Sequence, residues 1–277
     1  MAFVENRGAK IYWDEQGQGE PILLIMGLGY PSDMWHRTRP VLNRTYKTIA
    51  FDNRGAGRSD VPPGPYSIDL MASDALAVLN AAGIQAAHVI GVSMGGMIAQ
   101  ELTLRYPERV RSVILGCTAC GGPNLVQAEP EVLQVLMARA NMTGDQMAEA
   151  AVPFIYDAST PRARIDEDIA IRRPWFPTSE GYLAQLQGII MWESFTRLPQ
   201  INIPTLILHG ETDRLVPAGN AAVLAKRIAN STVAMLPQAS HIFSTDQPEA
   251  AHKAMLDFLA TQQGSPNATP ETVSQRQ

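Results

Sequence analysis

The sequence has no long apolar segment and no concentration of positive charge. Its apolar runs all fall short of the roughly 18 residues that a membrane-spanning helix needs, and the first residues lack the basic and then apolar stretches of a secretory signal. Lys+Arg total 22 against 27 for Asp+Glu, and no basic cluster is interleaved with aromatic residues. We therefore expect a cytoplasmic protein that binds neither nucleic acid nor membranes.

Cysteine is nearly absent, since the chain contains only Cys117 and Cys120. Their C-x-x-C spacing occurs in zinc sites and redox pairs. A zinc site needs about four ligands, however, and no second Cys or His pair lies at a suitable spacing. A redox dithiol usually opens a helix, whereas this pair follows an apolar strand. We expect two buried thiols and no bound metal.

Apolar strand segments alternate with amphipathic helical segments over much of the chain. Residues 3–14 and 20–26 are predicted strands, the second continuously apolar, as in a strand buried on both faces of a sheet. Residues 33–42 can form a helix. The alternation runs through residues 1–122 and resumes over 200–262. This pattern predicts an α/β protein with a mostly parallel central sheet and helices on both faces.

The alternation stops between residues 123 and 199, where helical stretches follow one another. We expect a helical cap here, and a disordered tail over residues 263–277 because few large apolar side chains occur there. The candidate substrate-pocket residues are aromatic and methionine side chains, one from the core and the rest from the cap: Trp35, Met137, Phe154, Trp175, Phe176 and Trp192. Those in the cap could instead form its own core.

A Gly-x-Ser-x-Gly motif joins a predicted strand to a predicted helix. An apolar run over residues 87–92 leads into Ser93, and a helical pattern follows from about residue 97. In this context the serine lies at the tip of a tight turn, where small neighbours let the helix approach the strand. Ser93 is therefore the candidate nucleophile, although the motif alone also fits a glycine-rich turn with a capping serine.

The loop of residues 52–59 contains Gly55-Ala56-Gly57, which resembles part of a dinucleotide-binding fingerprint. That fingerprint needs another glycine three residues later, but position 60 is Asp, so we reject a nucleotide site. The loop follows the carboxyl end of a predicted strand, the edge at which open α/β sheets bind ligands.

A serine hydroxyl needs a base within hydrogen-bond reach, and the base needs a group that orients it. Of the five histidines, only His241 lies on a loop after the last predicted strand, while the others precede the serine or fall within a strand or helix. Asp213 lies on the loop after the preceding strand. The order Ser93, Asp213, His241 therefore predicts a nucleophile–acid–base triad.

The attacked carbonyl becomes an oxyanion, which needs hydrogen-bond donors already in place. The residue after the nucleophile supplies one backbone N–H, here that of Met94. The second donor should come from the loop after an early strand, where Gly27-Leu28-Gly29 leaves the backbone open. We predict Leu28 as that donor.

As a set, these segments resemble the α/β-hydrolase superfamily over residues 1 to about 262. The motifs that carry the resemblance are Gly91–Gly96 and residues 52–59, 209–213 and 239–241. Within the superfamily the chain is most similar to the 3-oxoadipate enol-lactonase and cofactor-free esterase branch, through Met26–Gly29, Met34-Trp35 and residues 59–68. The resemblance implies an α/β-hydrolase fold with a helical cap, Ser-His-Asp catalysis on an ester or lactone, and no cofactor.

The chain departs from the family pattern at Met26, and the resemblance to enol-lactonases also implies a basic side chain in the cleft. Many relatives have His-Gly where this chain has Met26-Gly27, so any hydrogen bond from that histidine is missing. The enol-lactonase substrate is an anion, so the cap should direct a basic side chain into the cleft. The arginines of the cap are Arg139, Arg162, Arg164, Arg172 and Arg173.

The resulting hypothesis is a serine hydrolase of a small-molecule ester or lactone that works through an acyl-enzyme intermediate. The same triad also serves carbon–carbon bond hydrolysis and perhydrolysis, and a hydrolase scaffold can act as a ligand-binding receptor. Sequence leaves these alternatives open, together with the acyl and alcohol parts of the substrate and the oligomeric state.

Overall fold

The structure, a computed structural model, describes residues 2–262, so the predicted tail over 263–277 lies outside the described residues. Its centre is an eight-stranded sheet. The strands are β1 (Ala2–Asn6), β2 (Ala9–Gly17), β3 (Glu20–Ile25), β4 (Tyr46–Phe51), β5 (Ala87–Val92), β6 (Val110–Gly116), β7 (Thr205–Gly210) and β8 (Ser231–Leu236). Their spatial order is β1-β2-β4-β3-β5-β6-β7-β8. Only the β1–β2 and β2–β4 pairs among these are antiparallel, which confirms the mostly parallel sheet.

Helices connect most of these strands. They are α1 (Arg39–Leu42), α2 (Ile68–Ala81), α3 (Met94–Arg105), α4 (Pro130–Ala138), α5 (Gly144–Ile155), α6 (Arg162–Arg172), α7 (Ser179–Met191), α8 (Gly219–Arg227), α9 (Phe243–Asp246) and α10 (Pro248–Ala260). Four of them, α4 to α7, lie between β6 and β7, in the segment predicted as a cap. Over residues 2–262, every helix is too short or too polar to cross a membrane.

The sheet is covered on both faces, which explains why β3 is apolar at successive positions. Leu23 and Ile25 pack with side chains of α2 and α3, whereas Ile22 and Leu24 pack with Met255 and other residues of α10. All four strand residues are fully buried. Burying such side chains contributes about 1.5–3 kcal/mol each. The layers hold the strands in place and leave their carboxyl ends to carry loops.

Two local predictions were wrong. Residues 3–14 form two strands instead of one, because Arg7 and Gly8 have φ values of 46° and 75° and close a tight hairpin turn. Residues 33–42 form a 3-10 turn over Ser32–His36 and then the short α1. Pro40 lacks an N–H and fits only the first turn of a helix, so a new helix begins there instead of the earlier one continuing.

The last cap helix, α7, packs directly against loops of the core. A Cβ atom at Gly181 would overlap the carbonyl oxygen of Gly55, and one at Gly188 would overlap that of Tyr66. The Tyr66 N–H donates to the carbonyl of Ala184 at 3.2 Å. These small residues recur every three or four positions and share one face of the helix. The contact therefore holds α7 at a fixed position over the loop that follows β4.

Candidate active site

Ser93 occupies the turn between β5 and α3 with φ 56° and ψ −123°, a backbone conformation that is uncommon outside glycine. Its N–H donates to the carbonyl of Gly116 at 2.9 Å, and its own carbonyl accepts from the Thr118 hydroxyl at 2.7 Å. A Cβ atom at Gly95 would overlap the carbonyl of Ile25, so the start of the helix needs a glycine there. The neighbouring strands thus hold the serine in a strained turn.

Asp213 and His241 are in direct contact at the carboxyl ends of β7 and β8. The Nδ1 atom of His241 lies 2.8 Å from Oδ2 of Asp213, and both side chains are buried. The other carboxylate oxygen accepts backbone N–H bonds from Leu215 at 2.9 Å and Val216 at 2.8 Å. An anchored carboxylate of this kind can hold the proton on Nδ1 and leave Nε2 available as a base.

The surroundings of Asp213 keep it ionised. Burial alone would raise its pKa, but the charge of His241 and hydrogen bonds from His209 and His241 outweigh burial and lower the pKa to about 2. His209 Nε2 lies 3.5 Å from the same Oδ2 atom and 2.8 Å from the carbonyl oxygen of Val216. The carboxylate can therefore stabilise positive charge that develops on His241.

Ser93 and His241 meet at a cavity of about 550 Å³ between the core and the cap. Within residues 2–262 no hydrogen bond joins the Ser93 hydroxyl to His241, although both side chains line the cavity. In substrate-free sites this contact is often long and shortens when substrate binds. The structure thus brings Asp213 and His241 together and places Ser93 on the same cavity.

Leu28 and Met94, the predicted oxyanion donors, also line this cavity. In the described part of the chain neither backbone N–H has an acceptor. Met94 is the first residue of α3, and the free N–H groups and dipole at a helix N-terminus favour negative charge. On either side of Leu28 the loop is anchored: Asn53 Nδ2 donates to the Met26 carbonyl at 2.9 Å, and Gly29 N–H donates to Gln185 Oε1 at 2.8 Å.

Of the six predicted pocket residues, Trp35 and Met137 line the cavity. The walls are mainly apolar, including Met26, Met34 and Leu186. Met137 is also 51% exposed, which places it where the cavity opens to solvent. Such a site suits a small ligand with an apolar part.

The other four predicted pocket residues do not line the cavity, which corrects that expectation. Their rings pack against other partners: Phe154 under the Arg214 guanidinium, Trp175 under that of Arg58, Phe176 over Gly144, and Trp192 with its Nε1 donating to Glu101 at 2.9 Å. These rings serve the packing of the cap and its attachment to the core, the alternative that the sequence left open.

Among the cap arginines, Arg139 lines the cavity. It is 6% exposed, its Nε atom has no hydrogen-bond partner, and no carboxylate of residues 2–262 lies within 4 Å of its guanidinium. Its cationic carbon lies 5.4 Å from the ring centroid of Tyr182. The other four contact different groups: Arg162 and Arg173 surface carboxylates, Arg164 the Thr245 carbonyl, and Arg172 the Tyr30 ring.

Sequence reasoning passed over Asp246, which supports the loop that carries His241. Its carboxylate accepts the Ser240 N–H at 2.7 Å and the Thr160 hydroxyl. Burial raises the pKa of Asp246 to about 6, despite these two hydrogen bonds. Its position five residues after the predicted base, in a short helical turn, was the available signal.

Cys117 and Cys120 are free and buried, which confirms the expectation of two buried thiols. Cys117 lies in a cluster with His209 and Asp213, whose donor atoms are within 4.8 Å of one another. His209 Nε2 and both Asp213 oxygens already take part in the hydrogen bonds given above. The donor set is thus engaged in holding the acid, and the expectation of no metal stays a prediction.

Comparisons with known proteins agree on one fold. Residues 20–154 match the family profile described as the α/β hydrolase fold. The chain is 32% identical to a protein of Azorhizobium caulinodans named as a carbamate hydrolase, RutD, over 93% of this chain and 98% of that protein. It is 30% identical to 3-oxoadipate enol-lactonase 2 of Acinetobacter baylyi, over 86% and 89%. The crystal structure of the enol-lactonase from Burkholderia xenovorans LB400 is similar with a TM-score of 0.84 at 25% identity, covering 94% of this chain and 100% of that one.

Proposed function

The chain belongs to the α/β-hydrolase superfamily, and we propose that it is a serine hydrolase of a carboxylic ester or lactone. The observation that supports this best is the buried Asp213–His241 pair at the cavity that Ser93 lines. Leu28 and Met94, whose backbone N–H groups have no acceptor within residues 2–262, line the same cavity. Nucleophile, base, acid and oxyanion donors are thus all available around one space.

The reaction proceeds in two halves. His241 Nε2 takes the proton of the Ser93 hydroxyl as its oxygen attacks the carbonyl carbon, and the Leu28 and Met94 N–H groups bind the resulting oxyanion. When the C–O bond breaks, His241 gives this proton to the leaving alkoxide oxygen. His241 then deprotonates a water that attacks the acyl carbon. As the bond between that carbon and the Ser93 oxygen breaks, His241 returns the proton to this oxygen, which releases the acid and restores the serine. Asp213 orients His241 and stabilises its positive charge in both halves.

The cavity wall favours a substrate that carries an anionic group. A buried cation is costly unless a charge or hydrogen-bond acceptor compensates it. Arg139 lines the cavity with no carboxylate of the described chain within ion-pair distance. A substrate carboxylate would supply the missing charge, while apolar walls would contact its hydrocarbon part. We therefore favour a carboxylate-bearing ester or lactone over a neutral ester of similar size.

Removal of the Ser93 hydroxyl tests the proposal. Ser93→Ala should lower kcat by about 10⁴- to 10⁶-fold on p-nitrophenyl esters and lactones while the circular dichroism spectrum stays unchanged. A fluorophosphonate probe should label the wild type but not the variant. Retention of most esterase activity by the variant contradicts the assignment.

A substrate panel separates the alternatives. It contains an ester, a lactone, a carbamate ester, a diketone and a carboxylic acid with hydrogen peroxide. Turnover of only the diketone or only the peroxide mixture would favour carbon–carbon bond hydrolysis or perhydrolysis. A wild-type chain that turns over none of them and resists the probe would instead be a receptor.

A further inference from the structure

A side chain from the cap holds the loop that carries Leu28. The Gly29 N–H donates to Gln185 Oε1 at 2.8 Å, and Gln185 Nε2 donates to the carbonyl of Arg54 at 2.6 Å. The Gln185 side chain is fully buried. Both ends of its amide are therefore bonded, which leaves the group a single orientation.

The helix that presents Gln185 has little freedom to shift. Gly181 and Gly188 of α7 contact core backbone so closely that a Cβ atom at either would overlap it. At the loop itself, a Cβ on Gly29 would lie 3.0 Å from Pro177 and 3.3 Å from Tyr182, both in the cap. Gln185 thus reaches the loop from a fixed support.

Leu28 lies between two anchored points of the loop. Asn53 bonds to the Met26 carbonyl on one side, and Gln185 bonds to the Gly29 N–H on the other. The Met26 side chain offers no hydrogen-bond donor of its own. These bonds fix both flanking peptides, and the peptide that bears the Leu28 N–H is itself held because its Gly27 carbonyl accepts the Tyr30 N–H at 3.3 Å. Turning the Leu28 N–H away from the cavity therefore breaks at least this last bond.

We propose that Gln185 is a positioning residue, which directs the Leu28 N–H toward the substrate oxyanion and thereby links the cap to the catalytic centre. The inference rests on the proposed function, since it takes the Leu28 N–H as an oxyanion donor. An oxyanion donor acts mainly in the transition state, so its displacement lowers kcat more than it raises KM.

Three variants test this role. Gln185→Met removes both hydrogen bonds and keeps a side chain of similar length. Gln185→Glu keeps an oxygen for the Gly29 N–H but places a second carboxyl oxygen, in place of the amide donor, against the Arg54 carbonyl. Gln187→Met is the matched control, because Gln187 is exposed on the same helix. The measurements are kcat and KM on a p-nitrophenyl ester, thermal unfolding, and inhibition by a trifluoromethyl ketone, whose serine adduct has an oxyanion.

In Gln185→Met we expect kcat to fall by about 10- to 100-fold with KM within about threefold, and inhibition by the trifluoromethyl ketone to weaken by a factor similar to that in kcat. In Gln185→Glu, kcat and inhibitor affinity should fall less than in Gln185→Met, and in Gln187→Met both should equal the wild-type values. A merely structural tether would lower the unfolding temperature without this parallel loss.

Several results would overturn the proposal. One is a folded Gln185→Met protein with kcat within about twofold of wild type; another is a loss that raises KM alone and leaves inhibitor affinity unchanged. If Gln185→Met does not fold, Gln185→Glu and Gln185→Asn decide by the same comparison of kcat with inhibitor affinity. If the wild type is active and labelled by the probe, but kcat and inhibitor affinity are the same in the Gln185 variants, this inference alone is overturned. If the wild type is inactive and unlabelled, the proposed function is overturned as well.

Discussion

The Asp246 carboxylate accepts a hydrogen bond at 2.7 Å from the backbone N–H of Ser240, the residue directly before His241 in the chain. Its other oxygen accepts from Thr160, between α5 and α6. One buried acid therefore joins the cap to the loop that presents the proposed base. Because burial raises the pKa of Asp246 to about 6, this connection titrates in an accessible range.

Asp246→Asn should change how stability depends on pH. The ordinary pKa of the group is 3.8 and its folded value is about 6, so between these values the folded state holds a proton that the unfolded state has lost. The unfolding free energy of the wild type therefore falls as pH rises through this window. In urea unfolding, the unfolding free energy of the variant should rise by roughly 1–3 kcal/mol relative to that of the wild type as the pH is raised from about 4 to about 7. The exposed Asp257→Asn is the control, and equal pH dependence of all three proteins would contradict the expectation.

Asp213→Asn should lower kcat by about 10⁴-fold near neutral pH. The Leu215 and Val216 N–H groups keep the amide oxygen on their side, so the amide NH₂ faces His241 Nδ1, donates to it and favours the tautomer with its proton on Nε2. The lowered pKa of Asp213, about 2, keeps the carboxylate ionised throughout the usual assay range. Steady-state kinetics on the best ester of the panel measures the effect. Asp166→Asn, at an exposed cap position, should leave kcat unchanged. A loss below about tenfold in Asp213→Asn would remove Asp213 from the triad.

Arg139→Met should discriminate between anionic and neutral substrates. A hydrogen bond to a charged group contributes about 1.5–3 kcal/mol, so kcat/KM on a monomethyl dicarboxylate should fall by about 10- to 100-fold. Turnover of the neutral methyl ester of similar length should change little. Arg173→Met is the control, since that arginine pairs with Asp145 at the surface. Equal losses on both substrates would mean that Arg139 supports the cavity wall without recognising an anion.

Asp74→Ala should destabilise the fold by about 3–5 kcal/mol, because it leaves a buried arginine unpaired. Two bonds of 2.6 Å join Asp74 to the Arg54 guanidinium, and the two side chains are 0% and 3% exposed. The carbonyl of the same Arg54 accepts the bond from Gln185. Chemical denaturation compares this change with Asp257→Ala, which breaks an exposed pair with Lys253 and should cost under about 1 kcal/mol. Similar losses in both would contradict the expectation.

The residues of the candidate triad could be located from sequence because each follows a strand and depends on local backbone chemistry. The glycines around Ser93 are needed for a close approach of strand and helix, a requirement visible in the motif itself. Asp213 and His241 follow segments that the alternation with helices predicts as strands of a mostly parallel sheet, and the structure makes these two strands neighbours. Their catalytic roles stay a prediction that the variants above test.

The pocket residues were harder to predict, because apolar side chains in the cap give no sign of which partner they face. Trp192 turns to Glu101 in the core, a contact between residues far apart in sequence. Gln185 left a weaker signal, since it shares a helix face with the apolar Tyr182, Leu186 and Ile189. A glutamine on such a face needs buried hydrogen-bond partners, but the sequence alone does not show which residues they are.

The attachment of α7 to the core bears on recombination between members of this superfamily. A chimera that exchanges the whole segment between β6 and β7 would separate Gly181 from Gly55 and Gln185 from Gly29, and each interface would then have to form anew with foreign partners. An exchange that ends before Thr178 keeps those native pairs and replaces only α4 to α6. Crossovers placed there should yield more active hybrids than crossovers placed at the strand ends.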